Sequence, residues 1–292
     1  MSYDGWILIV ASLAGITCGI TGCFLILRKL SMLADAISHT VLLGIVLAYI
    51  ISQSMNGLYM LIGAAIVGLL TAFFVQVFYS SGIQEDASIG VVFTFLFAVG
   101  VILITLYAGD VHLDVEHALM GEITFVPWDL VTLGPLLELP KAFLMLSTVL
   151  LIDLIIIFLF YKELKITSFD PSMAVAIGIP VMLIHYLLMG MVSITTVASF
   201  DSVGAILVVA MLIAPGASAY LLTERLSVML VLSALLGVAA AITGYYVASW
   251  QDVSIAGTMA TMNGVIFALV FLFSPTKGLI AKKLHIRKLK TD

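Results

Sequence analysis

Polar residues are sparse along this chain and cluster in short breaks, and the stretches between the breaks are mostly apolar runs. Each run is close to the roughly 17–25 residues a helix needs to cross a hydrocarbon core. Read this way, the chain predicts spans near 6–27, 33–51, 58–79, 88–107, 141–160, 179–198, a short 203–214, 227–249 and 257–273. The intervening breaks hold Arg28 and Lys29; Gln53 to Asn56; Ser80 to Asp86; the long 108–140; Lys162 to Asp170; Pro215 to Arg225; and Gln251 to Asp252. Nine crossings follow, with no stretch left for a soluble domain.

Composition sharpens this picture. Of 292 residues, 63% are hydrophobic and only 10% charged, and the mean hydropathy is +1.25, far from a soluble globular domain. The expected fold class is therefore an all-α polytopic membrane protein, for which nucleic acid is no fitting partner. Cys18 and Cys23 lie five apart in the first span, off one helix face, so they read as small packing residues and not as a metal pair or a local disulfide. The start, "MSYDGW", lacks the basic region of a cleaved signal peptide, so the first span is expected to remain in the mature protein.

The net charge of −5 matters less than where the cations sit. With the N-terminus outside, Arg28, Lys29, Lys162, Lys165, Arg225 and the tail residues Lys277, Lys282, Lys283, Arg287, Lys288 and Lys290 fall in the cytoplasm. Only Lys141 of the twelve basic residues is then outside. Positive charge collects on cytoplasmic loops, so the chain reads as N-out and C-in, which requires an odd number of crossings. Residues 277–292 become a basic cytoplasmic tail. The 108–140 segment becomes an extracellular acidic loop with Asp110, Asp114, Glu116, Glu122, Asp129 and Glu138 beside His112 and His117, expected to carry a short helix. It is either a solvated loop or a docking surface that concentrates cations.

Within "LADAISHTVLLG", residues 33–44, Asp35 and His39 sit four apart in an otherwise apolar helix, hence on one face one turn apart. An ionisable group at membrane depth is costly unless it meets a cavity, a partner or an ion. A carboxylate and an imidazole are half of a site for a divalent transition metal; a two-fold dimer placing this helix on its axis would supply the other half. The plainer reading is a local Asp-to-His hydrogen bond, or an interfacial pair near Arg28 and Lys29. Ser38 lies beside the pair and could assist it, or simply pack.

Asp153, alone in "LLIDLIII", either pairs with a neighbouring helix or lines a pathway, and structural pairing is the favoured reading because no second ligand accompanies it. His185 is read the same way, and Asp201 and Asp252 are placed at the outer interface. The chain has no G-x-x-x-x-G-K-[ST] phosphate loop, no H-E-x-x-H, no nucleophile elbow and no Cys/His array of zinc-site spacing. An enzyme of the membrane interior has no visible catalytic set here.

Three stretches together resemble one family, the metal-type permeases of bacterial ATP-binding cassette importers for manganese, zinc or iron. They are "LILRKLSMLADAISHTVLLGIVLA" (25–48), with a basic pair before Asp-Ala-x-Ser-His; "SFDPSMAVAIGIPV" (168–181); and "VGAILVVAMLIAPGASAYLLTERL" (203–226). The resemblance spans nearly the whole chain. It implies one transmembrane permease domain over 1–292 in the type II importer fold shared with cobalamin importers. It also implies pairing with a second permease copy, identical or related, two separate cytoplasmic ATPase subunits and an extracellular metal-binding protein. Asp35 and His39 would hold the transported ion transiently, with Ser38 and Asp153 as further pathway candidates. By position, 215–225 would be the cytoplasmic coupling helix, with Pro215 ending a span and Gly216, Ala217, Ser218, Glu224 and Arg225 on a short amphipathic element; Phe169 and Asp170 would lie beside it. No permanently bound cofactor is expected. "ADAISHTVLLG" is most similar to the manganese-type members, so manganese is the expected cargo, with zinc or iron as alternatives. Of other classes, a secondary cation transporter using Asp35, His39 and Asp153 without an ATPase, or a purely structural membrane subunit, stay open.

Overall fold

The computed structural model describes residues 3–54, 57–107, 123–132, 138–275 and 278. Among them nine helices are long and apolar enough to cross a membrane: α1 (Tyr3–Leu27), α2 (Ser31–Ser52), α3 (Gly57–Ser80), α4 (Glu85–Tyr107), α5 (Lys141–Leu159), α8 (Val181–Val203), α9 (Ala205–Leu222), α10 (Leu226–Gln251) and α11 (Ile255–Phe273). Two short helices, α6 (Tyr161–Phe169) and α7 (Pro171–Ala176), link α5 to α8. Beside the helices stands a small antiparallel ribbon, β1 (Leu130–Thr132) with β2 (Glu138–Pro140), Val131 facing Leu139. Most of the acidic loop lies outside the described residues, 108–122 and 133–137, as does the basic tail apart from Gly278, so the expected short helix and tail are not described.

Helix α1 is the hub, packed against α5, α8, α9 and α10. Its sequence explains why. In lipid, helices gain little from hydrophobicity between themselves, so association favours small residues that let backbones approach. A Cβ on Gly15 would stand 2.8 Å from the Gly237 carbonyl carbon of α10. One turn on, the Ser233 hydroxyl donates to the Gly19 carbonyl at 2.6 Å. Cys18 and Cys23 are free and buried in this helix, in keeping with packing roles. Helices α2, α3 and α4 form a second group, joined to the first chiefly through α8 and α9.

Alternation of nine helices puts the two ends of the membrane domain on opposite sides. Arg28, Lys162, Lys165 and Arg225 share one end, and Lys141 lies at the other. At the Lys141 end, the Tyr3 hydroxyl donates to the Thr124 carbonyl and exposed Asp252 occupies a left-handed turn before α11. Asp201 lies in the last turn of α8, its side chain outside the described residues.

One expected boundary is corrected. Pro215 does not end a span: α9 runs unbroken from Ala205 to Leu222 with Pro215 inside it, and the break falls at Thr223 to Arg225. A proline removes one backbone donor, but a membrane helix tolerates this where neighbouring helices and local adjustment satisfy the freed group. Pro215, Gly216 and Ser218 are buried; a Cβ on Gly216 would stand 3.2 Å from the Cys23 backbone nitrogen. The small residues 215–219 pack α9 on α1 and form no separate amphipathic element.

Candidate metal pathway and coupling surface

Asp35 and His39 emerge one turn apart on α2, with His39 Nε2 3.6 Å from Asp35 Oδ1. Their side chains are 42% and 30% exposed, while Leu33, Ala34, Ala36 and Ile37 around them are buried. The inner face of α2 thus packs against α3 and α4, and the ionisable pair is left half-exposed beside α4. An exposed i,i+4 pair contributes about 0.3–0.5 kcal/mol, whereas an Asp at the centre of a membrane helix costs about 2.5–3.5 kcal/mol. Asp35 lies one turn into α2 from Ser31, near the end that carries Arg28, where an ionisable group costs less than at the helix centre. Phe93 and Phe97 of α4 flank the imidazole, their ring centroids 5.4 and 6.0 Å from it. Their i,i+4 spacing was visible in the sequence, but nothing in it named His39 as what they face.

Ser38 does not join the pair. It is buried, and its hydroxyl donates to the Asp35 carbonyl at 2.6 Å. Asp153 is also apart: 1% exposed on α5, it accepts from Thr195 of α8 at 2.6 Å and Thr21 of α1 at 3.3 Å. It is tied into the α1–α5–α8 core. No group of three or more His, Cys, Asp or Glu placed to hold a metal occurs among the described residues.

At the other candidate surface, α6 and α7 meet at Asp170. Its carboxylate caps α7, accepting from the Met173 N–H at 2.9 Å and from the Ser172 hydroxyl at 2.6 Å. These bonds, the Ser172 hydroxyl foremost, hold its carboxyl below the ordinary carboxylate range. Pro171 opens the helix, where a missing N–H costs nothing, and Gly178 follows it at φ 83°. Phe169, Met173, Val175 and Ile177 are all exposed here. Glu224 and Arg225 are exposed in the α9–α10 turn, while Ala217 is half-buried within α9.

The sequence matches the ABC 3 transport family over residues 5–274. It is 59% identical over 292 residues to the manganese transport system membrane protein MntD of Bacillus subtilis, covering 100% of this chain and 99% of that protein. It is 45% identical over 287 residues to the zinc transport system membrane protein TroD of Treponema pallidum, covering 98% and 78%. Among solved structures, PsaBC from Streptococcus pneumoniae in complex with Fab matches with a TM-score of 0.80 at 33% identity, over 97% of this chain and 96% of that one. A metal-chelate type ABC transporter in an inward-facing conformation shares the fold, with a TM-score of 0.64 at 16% identity over 91% and 84%. The nine apolar helices agree with these likenesses in making this a multi-pass protein of the bacterial plasma membrane. The chain belongs to the ABC 3 transport family, as a permease of the metal-importer type most like those for manganese.

Proposed function

We propose that this chain forms the translocation pathway of an ATP-driven importer for a divalent transition metal, manganese being the favoured cargo. The observation that carries the reading is the half-exposed Asp35 and His39 pair, one turn apart on an otherwise apolar helix. A two-fold partner set against α2 brings two carboxylates and two imidazoles together, an oxygen and nitrogen set suited to manganese, iron or zinc. Without a thiolate the site holds its ion weakly enough to release it, as conduction requires. The names of its relatives favour manganese, with zinc and iron relatives as the second choice.

On this reading an extracellular metal-binding protein delivers the ion, two cytoplasmic ATPase subunits drive its release inward, and the permease itself catalyses no reaction. The ATPase docks on residues 169–178. The apolar side chains of Phe169, Met173, Val175 and Ile177 stand exposed at the cytoplasmic end, on a helix whose entry is fixed by the Asp170 cap. Residues 215–219 are largely buried against α1 and are left a packing role, with Glu224 and Arg225 at the margin of the docking surface.

The test is metal accumulation in cells expressing the chain with its ATPase, given manganese, zinc or iron in turn, for wild type and His39→Ala. Uptake of manganese that needs both the ATPase and His39 is expected. Uptake indifferent to the ATPase would identify a secondary transporter instead.

A further inference from the structure

A cavity of about 870 Å³ opens at the end of the bundle that carries Arg28, Lys162, Lys165 and Arg225. It lies between the α1–α2 turn, the last turns of α3, the α6–α7 junction and the start of α8. Leu33 of α2 is part of its wall, but neither Asp35 nor His39, further along the same helix, lines it.

Its walls have two characters. Leu33, Val75, Val181 and Met182 make an apolar slot. Arg28 and Lys29 bring two cations to it. Arg28 Nη2 donates to the Thr167 hydroxyl at 2.7 Å and Nε to the Ser168 hydroxyl at 3.1 Å, which fixes the guanidinium. Nη1 has no protein acceptor among the described residues, and neither Arg28 nor Lys29 has a carboxylate within ion-pair reach there. Burial lowers the Arg28 pKa to about 10, so it stays charged at neutral pH.

Two details mark the cavity as more than a gap in packing. Lys29 sits at φ 62°, the left-handed conformation that a helix end usually assigns to glycine. Its N–H donates to the Ile26 carbonyl and that of Leu30 to the Leu25 carbonyl, the bonding of a glycine-ended helix with a lysine in glycine's place. Glu85 also lines the cavity, and its Oε1 is buried without a hydrogen-bond donor. A ligand there meets an excess of positive charge, one acceptor in need of a donor, and an apolar slot.

We propose that this cavity binds one phospholipid of the cytoplasmic leaflet whose head group carries a hydroxyl or amine, its phosphate on Arg28 and Lys29 and an acyl chain along the α3–α8 slot. The charge, the missing donor at Glu85 and the apolar wall each match one part of such a molecule, and basic pockets between membrane helices on the cytoplasmic side suit anionic head groups. Neither Asp35 nor His39 takes part in this binding.

The test titrates the purified full-length chain in detergent with dioctanoyl phosphatidylglycerol and counts adducts by native mass spectrometry. Dioctanoyl phosphatidylcholine, which lacks a donor in its head group, and inorganic phosphate serve as comparisons. One saturable phosphatidylglycerol per chain is expected, bound more tightly than phosphatidylcholine and not displaced by phosphate. Lys29→Gly suits the backbone better than lysine and removes the charge, so its loss of affinity, about fivefold, cannot come from misfolding; Arg28→Gln should lose more. Unchanged affinity in both variants overturns the site. Phosphatidylcholine binding equally well would show nonspecific lipid, and phosphate competing as well as lipid would show a small-anion site; either overturns the proposal.

Discussion

The Thr195 hydroxyl of α8 donates to Asp153 Oδ2 of α5 at 2.6 Å, inside a core where Asp153 is 1% exposed. With Thr21 of α1 as second donor, the carboxyl ties three helices around one point. Asp153→Asn keeps an acceptor for both hydroxyls and should leave folding and uptake close to wild type. Asp153→Ala strands the Thr195 hydroxyl in a dry interior, at a cost of about 1–3 kcal/mol, visible as a lower melting temperature in detergent. Abolished uptake in Asp153→Asn with unchanged melting would put this residue in the pathway.

His39→Ala and Asp35→Ala should separate function from stability in the opposite sense. Their mutual pair contributes only about 0.3–0.5 kcal/mol, so melting should barely move, whereas metal uptake should fall at least about tenfold as two ligands of a four-ligand site vanish. Radiometal accumulation alongside thermal unfolding checks both halves. Loss of fold with Asp35→Ala would favour a purely structural pair.

The exposed row Phe169, Met173, Val175 and Ile177 distinguishes the two candidate coupling segments. Met173→Glu should weaken co-purification of the ATPase by about tenfold or more, as losing an apolar anchor at an interface centre does. Pro215→Ala should leave the complex intact, since residue 215 lies within a continuous buried helix. The reverse pattern would return the coupling role to residues 215–225.

Asp170 fixes the start of α7. Asp170→Ala should speed amide exchange at 171–176 and lower ATPase retention, and Asp170→Asn should largely restore both because asparagine is also a good N-cap. Its folded pKa is depressed, so the cap's contribution is fully present above the unfolded carboxylate value and is lost as pH falls through the folded one. Exchange at these amides should therefore show no loss of protection between pH 7 and pH 5 beyond the ordinary change in chemical rate, and a loss only in stronger acid.

Where Gly15 meets Gly237, a side chain on either would enter the facing backbone. Gly15→Val should force α1 and α10 apart and destabilise by about 1–3 kcal/mol or more, seen as heat-induced aggregation at lower temperature. Ala14→Val, one residue away and also buried, gauges overpacking without the backbone clash and should cost less.

The amino-acid sequence by itself determined the nine spans, the end of the bundle that carries the cations, and the identity of Asp35 and His39 as groups needing an explanation. Each of these follows from a local quantity: the apolar length that matches a bilayer, or the cost of an ionisable group among leucines and valines. Pro215 shows where that reading fails. By composition, a proline followed by small residues looks like a break, yet the helix continues through it, with Gly22 and Cys23 of α1 packed against Gly216. Ser38 is adjacent to Asp35 in sequence range but turns inward, because its direction is set by the packing of α2. The partners of Asp153 and Arg28 lie 42 and 139 positions away. Hydropathy decides whether a segment enters the membrane; which polar groups then satisfy one another inside it depends on helix neighbours, and only the tertiary structure brings those together.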